Sequence, residues 1–304
     1  MNVVPHVQIP PRFRMTTAFR AALLALLAGV TVSAPLAGQH HDRPQKYNAA
    51  AVVAGNAALG SLTVALGHVF RSKRPSFAKL AQGAVGGATV FAGKAIAADR
   101  HWYTGVAGRQ VASFGGSAIQ NVAAGRGYAD RVLLPWGPIR FHVETRGRVK
   151  VHPKFDVAGV VATVMGITGD DLEIDVERSL KYGTVVLRNV GMSGDATAVG
   201  SHIGGVIKYR RLTVESTAAS RESVDAVIAH ELVHVIQSDF LFNAWAGPVE
   251  SYALGKSTVG KTINRYVDLG LHVPFAAWLN GVVDYPSRPW EREAVSLVST
   301  PQEQ

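Results

Sequence analysis

Cysteine is absent from all 304 positions. That one absence excludes a disulfide framework, thiolate zinc ligands, a cysteine nucleophile and an anchor built on an N-terminal lipidated cysteine. Any metal ion must therefore be held by His, Asp or Glu. Charge is scarce as well: Asp, Glu, Lys and Arg make up 17% of the chain, against about a quarter in typical soluble domains. Part of the surface is thus expected to meet lipid or a partner instead of water. Acidic residues are the scarcer sign, 22 against 31 basic, which leaves a net charge of +9 and a pI near 9.9. A basic balance can serve nucleic acid, an anionic membrane face or solubility alone. Apolar residues reach 47%, enough to bury a sizeable core. The length favours two folded units behind a processed leader.

Residues 1–39 read as a signal peptide. Arg12, Arg14 and Arg20 form a positive flank, residues 21–34 are an apolar run of secretory length, and small residues follow through Gly38. Cleavage is expected between Ala34 and Gln39, and Met15 is an alternative start. Cleaved, or retained as an anchor helix, the segment directs the rest of the chain to the periplasm or cell envelope. An exported chain has little use for nucleic acid, so no nucleic-acid partner is expected.

Residues 40–130 are rich in Gly and Ala and read as helical. Residues 47–70 carry no formal charge, and Arg71, Lys73 and Arg74 follow. That length with a basic flank suits a membrane span, although Asn48, Asn56, Ser61, Thr63 and His68 dilute it. Two shorter stretches, 80–93 and 110–125, place Gly83, Gly86, Gly87 and Gly93 in the first and Gly115 and Gly116 in the second. Small residues at such spacing let helices approach closely, in lipid or in a tight soluble bundle. The pattern resembles the glycine-zipper helices of bacterial envelope proteins. It makes residues 47–125 the expected contact with a membrane or envelope partner.

From Arg131 the texture changes. Residues 133–138, with Pro135 and Pro138, read as a rigid linker. Beyond it Phe141, Val143 and Thr145 alternate with Arg140, His142 and Glu144, and Val149 and Val151 with Arg148, Lys150 and His152. That is strand periodicity about an Arg146-Gly147 turn. Residues 172–176, 184–187 and 206–214 are further strand candidates. This central part is expected to be an antiparallel sheet with one basic, solvated face. From Ser220, the expected N-cap, the period becomes helical, with Val224, Val227, Ile228, Leu232, Val235 and Ile236 on one stripe. Helices, then strands, then helices argue for the α+β class.

The chemistry lies in His230-Glu231-Leu232-Val233-His234. Histidines four apart on a helix project from one face, roughly 5–6 Å apart at Cβ. Both can then reach one zinc ion at about 2.0–2.1 Å. Glu231 is turned off that face, placed to take a proton from water as general base without holding the metal. Two surface histidines flanking a solvated glutamate are the plainer alternative.

The string continues as Val235-Ile236-Gln237 and resembles the active helix of gluzincin-type zinc metallopeptidases, in particular minigluzincin-like domains. The resemblance covers residues 224–238 and 288–298 only. It implies Zn2+ as cofactor, a peptide or protein substrate, and a glutamate from a later helix as third ligand. Trp290-Glu291-Arg292-Glu293-Ala294 is similar to that second motif, in which the ligand lies three residues before an alanine. This register selects Glu291. Another gluzincin register puts the ligand directly before the alanine and selects Glu293. Family members often carry an aspartate four residues after the ligand, where Val295 or Leu297 stands here. The long step between the two motifs holds Trp245, Tyr252, His272, Trp278 and Tyr285. Tyr285 is the first choice for bracing an oxyanion, with core packing as the plainer role for all these aromatics.

The expectation is therefore an exported, membrane-associated α+β protein whose residues 131–304 hold a zinc-hydrolase domain, most simply a metallopeptidase. Its rival is a non-catalytic envelope binding or structural module with a structural or degenerate zinc site. Hydrolysis of a carbonyl compound other than a peptide is a third possibility.

Overall fold

A computed structural model describes residues 49–101, 103–169, 172–189, 199–203, 205–210, 218–241, 244, 254–270, 273, 278, 282–283 and 288–298. Residues 1–39 and Tyr285, Trp245, Tyr252 and His272 lie outside these. Among the described residues the class is α+β, with helices predominating and two four-stranded sheets.

Three helices come first: α1 (Ala49–Phe70), α2 (Phe77–Ala98) and α3 (Thr104–Ala123). Ser76 caps α2, its hydroxyl accepting from the Lys79 amide. The glycines set how closely these helices meet. A Cβ on Gly93 would lie 2.3 Å from the Ala112 nitrogen, and one on Gly108 2.3 Å from the Ala97 nitrogen. No larger residue fits that seam without parting α2 from α3. Among the described helices, α1 alone is long and apolar enough to cross a bilayer.

Residues 133–138, expected as a linker, instead lie in β1 (Arg131–Trp136) and a tight turn into β2 (Ile139–Glu144). Gly137 takes φ +55° at the first turn position, where a side chain would be strained. Pro135 is tolerated because β1 is an edge strand paired only with β2, so the missing N–H breaks no central ladder. β3 (Lys150–Asp156) completes the antiparallel meander. Two helices then interrupt the strands: α4 (Val157–Gly169), and α5 (Val176–Tyr182) after β4 (Leu172–Ile174). β5 (Val185–Asn189), β6 (Val199–Ile203) and β7 (Val206–Arg210) follow.

The sheets are mixed, where an antiparallel region was expected. The first runs β1-β2-β3-β8, with β8 (Val267–Asp268) parallel to β3, and the second runs β4-β5-β7-β6, with β5 parallel to β7. Alternation along one strand shows which face is buried but not which distant strand pairs with it.

The basic face expected to be solvated is also partly internal. Arg140 and His142 are buried, as is Lys154. Arg140 donates to Asp156 at 2.8 Å and faces Asp268 at 3.5 Å and Asp239 at 3.7 Å. Lys154 donates to Asp268 at 3.2 Å. Arg109 of α3 donates to Asp239 at 3.0 Å and to the Gly183 carbonyl at 2.7 Å. Carboxylates from distant segments make the burial tolerable, since a buried charge needs a partner.

The long helix α6 (Ala218–Leu241) lies at the centre. It begins by Ala218, so Ser220 is inside the helix and not its cap. Val224, Ile228, Leu232, Val235 and Ile236 form one core with Val64, Val90 and Ile119 of α1–α3 and with Tyr182, Val186, Ile207 and Tyr209. Val227, expected on the same stripe, is only half-buried. The other side of α6 is covered too: Val233 packs with Ala98 of α2 and Ala294 of α8 (Pro289–Val298). α7 (Thr258–Tyr266), capped by Ser257, leads into β8.

Candidate metal centre

Packing of Ala294 against Val233 sets the rotation of α8 on α6. That rotation brings Glu291 to the two histidines. His234 Nε2 lies 3.1 Å from His230 Nε2 and 3.1 Å from Glu291 Oε2, and His230 Nε2 lies 3.4 Å from the same oxygen. The imidazole rings stand edge to face, 4.7 Å apart at their centroids. Among the described residues this is the one group of three His, Asp or Glu side chains close enough to share an ion.

The triangle fits zinc. With zinc–nitrogen bonds of about 2.0–2.1 Å in a tetrahedron, neighbouring ligand atoms lie about 3.3 Å apart. The donor set also suits the ion: imidazole and carboxylate, in a chain with no thiolate. Electrostatics draw the three groups together. Burial opposes charge on Glu291 and on His234, but hydrogen bonds from His230 and His234 hold the Glu291 carboxyl well below the usual range. Glu291 in turn raises His234 above its ordinary value against the same burial. His234 is almost wholly enclosed, whereas the His230 side chain keeps 20% and that of Glu291 13% exposure, so solvent reaches one side of the cluster. Glu231, next along α6, is buried at 8% exposure and lies outside the ligand set.

Glu293, the alternative third ligand, is directed elsewhere. Two positions along a helix face nearly opposite ways. Its Oε1 instead accepts from Lys94 at 2.5 Å and from Asn56 at 3.0 Å, and its Oε2 from Gln237 at 2.8 Å. Of the aromatics expected near the site, Trp278 is described and is 52% exposed. An apolar cleft lined by Val106, Gln110, Leu134, Pro135, Trp136 and Phe141 shares no residue with the cluster.

Three residues beside the site were not anticipated: Gln237, Lys94 and Asn56. Gln237 stands one helical turn after His234 in the motif itself, and that spacing was available to be read. Lys94 had a fainter signal, as the lone charge between Lys79 and Asp99 in an otherwise small and apolar stretch. Asn56 had none beyond being polar in an apolar run. The chain matches no protein-family model, and no curated protein or solved structure is significantly similar to it.

Proposed function

We propose that the chain is an exported zinc-dependent hydrolase, a metallopeptidase in its simplest form, held by His230, His234 and Glu291. The observation that carries the reading is the triangle of three donor atoms with edges of 3.1–3.4 Å, contributed by two helices. The partial exposure of His230 supports a working site over a closed structural one, because catalytic zinc keeps a position open to water and substrate. Zinc held there by His230, His234 and Glu291 would supply Lewis-acid chemistry and make water at the site more acidic. His230 and His234 offer neutral imidazole nitrogens, and Glu291 adds the one negative charge of the set. Glu231 accepts the proton of the attacking water and returns it to the leaving nitrogen.

Residues 40–130 are read as the membrane-apposed region and 131–304 as the part that carries the hydrolase. What supports apposition is the tip of the α1–α2 hairpin, where Val69, Phe70 and Phe77 are exposed around Arg71, Lys73 and Arg74. Between Asp42 and Asp99 the chain has no acidic residue. An aromatic tip with unbalanced positive charge suits an anionic bilayer surface. Placement in the periplasm or envelope follows from the leader.

Elemental analysis of metal-stripped and zinc-reconstituted protein tests the site. About one zinc per chain is expected, with loss in His234→Ala and Glu291→Ala, and a content below about one half would refute it. The rival, a non-catalytic envelope module with a structural or degenerate zinc site, differs in having no turnover that depends on Glu231.

A further inference from the structure

We infer that Gln237, Glu293, Lys94 and Asn56 form a positioning relay that fixes the tautomer and ring orientation of His234. The inference rests on the zinc reading above.

His234 Nδ1 lies 2.8 Å from Gln237 Oε1. If Nδ1 carries the hydrogen and donates to that oxygen, the Nε2 lone pair is left facing His230 and Glu291, where the ion belongs. The amide could in principle be turned the other way, but its opposite end settles the orientation. Gln237 Nε2 lies 2.8 Å from Glu293 Oε2 and 3.2 Å from the Trp290 carbonyl, and both of these can only accept. The NH2 group must therefore point toward α8 and the oxygen toward His234.

Glu293 is held just as firmly. Lys94 Nζ reaches Oε1 at 2.5 Å and Asn56 Nδ2 reaches it at 3.0 Å. Lys94 also donates to Asn56 Oδ1 at 2.9 Å, and Asn56 Nδ2 donates to the Val52 carbonyl at 3.0 Å. The donors converge on Glu293: the imidazole donates to the amide and the amide to the carboxylate from one side, and Lys94 and Asn56 donate to it from the other. Each member thereby polarises the next. The relay reaches His234 through Gln237 of α6 and Glu293 of α8. Its outer members come from α1 and α2, so the Gly-rich hairpin takes part in shaping the metal site.

The test uses the full chain and two readouts. Zinc affinity is measured by chelator competition, and the hydrogen bond at His234 Nδ1 by nitrogen-15 and proton NMR of the ring in the zinc-loaded chain. Gln237→Met should weaken zinc about 10–100-fold, the usual cost of losing a group that orients a ligand. It should also lose the hydrogen-bonded Nδ1–H resonance. The exchange Q237E/E293Q keeps an acceptor toward His234 and an acceptor toward Lys94, reverses the bond between 237 and 293, and gives up the donor to the Trp290 carbonyl. It should restore that resonance and return affinity to within a few-fold of wild type. A merely structural role for Gln237 would not be rescued this way. Wild-type affinity and an unchanged Nδ1–H resonance in Gln237→Met would overturn the relay and leave the zinc site standing. A folded exchange variant that binds no better than Gln237→Met would overturn it too. Failure of the zinc reading looks different, because wild type itself then binds no zinc.

Discussion

Lys94 and Glu293 are 199 positions apart in the chain, yet their side chains meet at 2.5 Å with almost no exposure. The contact ties α2, a helix built for close approach by its glycines, to α8, which presents Glu291 to the histidines. Neither charge could be buried alone without a penalty of several kcal/mol, so each residue requires the other. The Gly/Ala-rich part and the metal centre are therefore joined by an ion pair as well as by the shared core around α6.

Catalysis hangs on Glu231. Glu231→Gln should leave zinc content and fold unchanged, since Glu231 is not in the ligand triangle. Turnover should fall about 10²–10⁴-fold, the usual contribution of a positioned acid–base group. Processing of unfolded or membrane-inserted envelope proteins is a sensible first assay. Equal processing by wild type and variant would remove the peptidase claim in favour of the binding module.

The helix seam gives a sharp contrast between two glycines. Gly93→Ala would set a Cβ 2.3 Å from the Ala112 nitrogen and 2.5 Å from the Gly108 oxygen, both backbone atoms. Overpacking of about 1–3 kcal/mol then exceeds the gain in helix propensity of up to about 1 kcal/mol. Gly55→Ala meets nothing within 4 Å and should be neutral or stabilising. Chemical denaturation of both variants is the check, and equal stability would show that the seam can open freely.

Acid should weaken the fold through His142. Burial first, and Arg131 beside it, lower the ring from its ordinary 6.5 to about 4, although Asp268 pulls the other way. The folded state thus favours neutral imidazole, while the unfolded chain takes up a proton below 6.5. Stability from this group is complete above pH 6.5 and is lost as pH falls from there toward 4, by at most about 3 kcal/mol. Asp268, held near 2 against its burial by His142, Arg140 and Lys154, extends the loss to lower pH. Unfolding midpoints between pH 7 and 4.5 should fall more steeply for wild type than for His142→Asn. Parallel slopes would exclude His142 as the source.

The hairpin tip should prefer anionic membranes. Phe77 is 87% exposed and Phe70 57%, flanking Lys73 and Arg74. Each cation near such a surface contributes about 1 kcal/mol, so K73Q/R74Q should cut partitioning to anionic vesicles roughly 30-fold. Binding to neutral vesicles should change little. Vesicle flotation of the two otherwise identical chains decides it: equal partitioning would discard the tip as a lipid contact.

Much of this was legible because it is local. The spacing of His230 and His234 is a property of one helix turn, and the apolar stripe from Val224 to Ile236 marked α6 before any partner was known. The β2–β3 hairpin showed itself through alternation about Gly147, and the order of elements indicated the α+β class. What could not be read were relations closed across long loops. Whether Glu291 or Glu293 turns toward the histidines depends on how Ala294 seats against Val233, a packing fact that a short motif does not contain. Pro135 looked like a linker residue until β1 proved to be an edge. Arg140 and His142 looked solvated because Asp156, Asp239 and Asp268 reach them from other segments. Hydrogen-bond periodicity is written into neighbouring residues. The meeting of Lys94 with Glu293 is decided only when the whole core closes around α6.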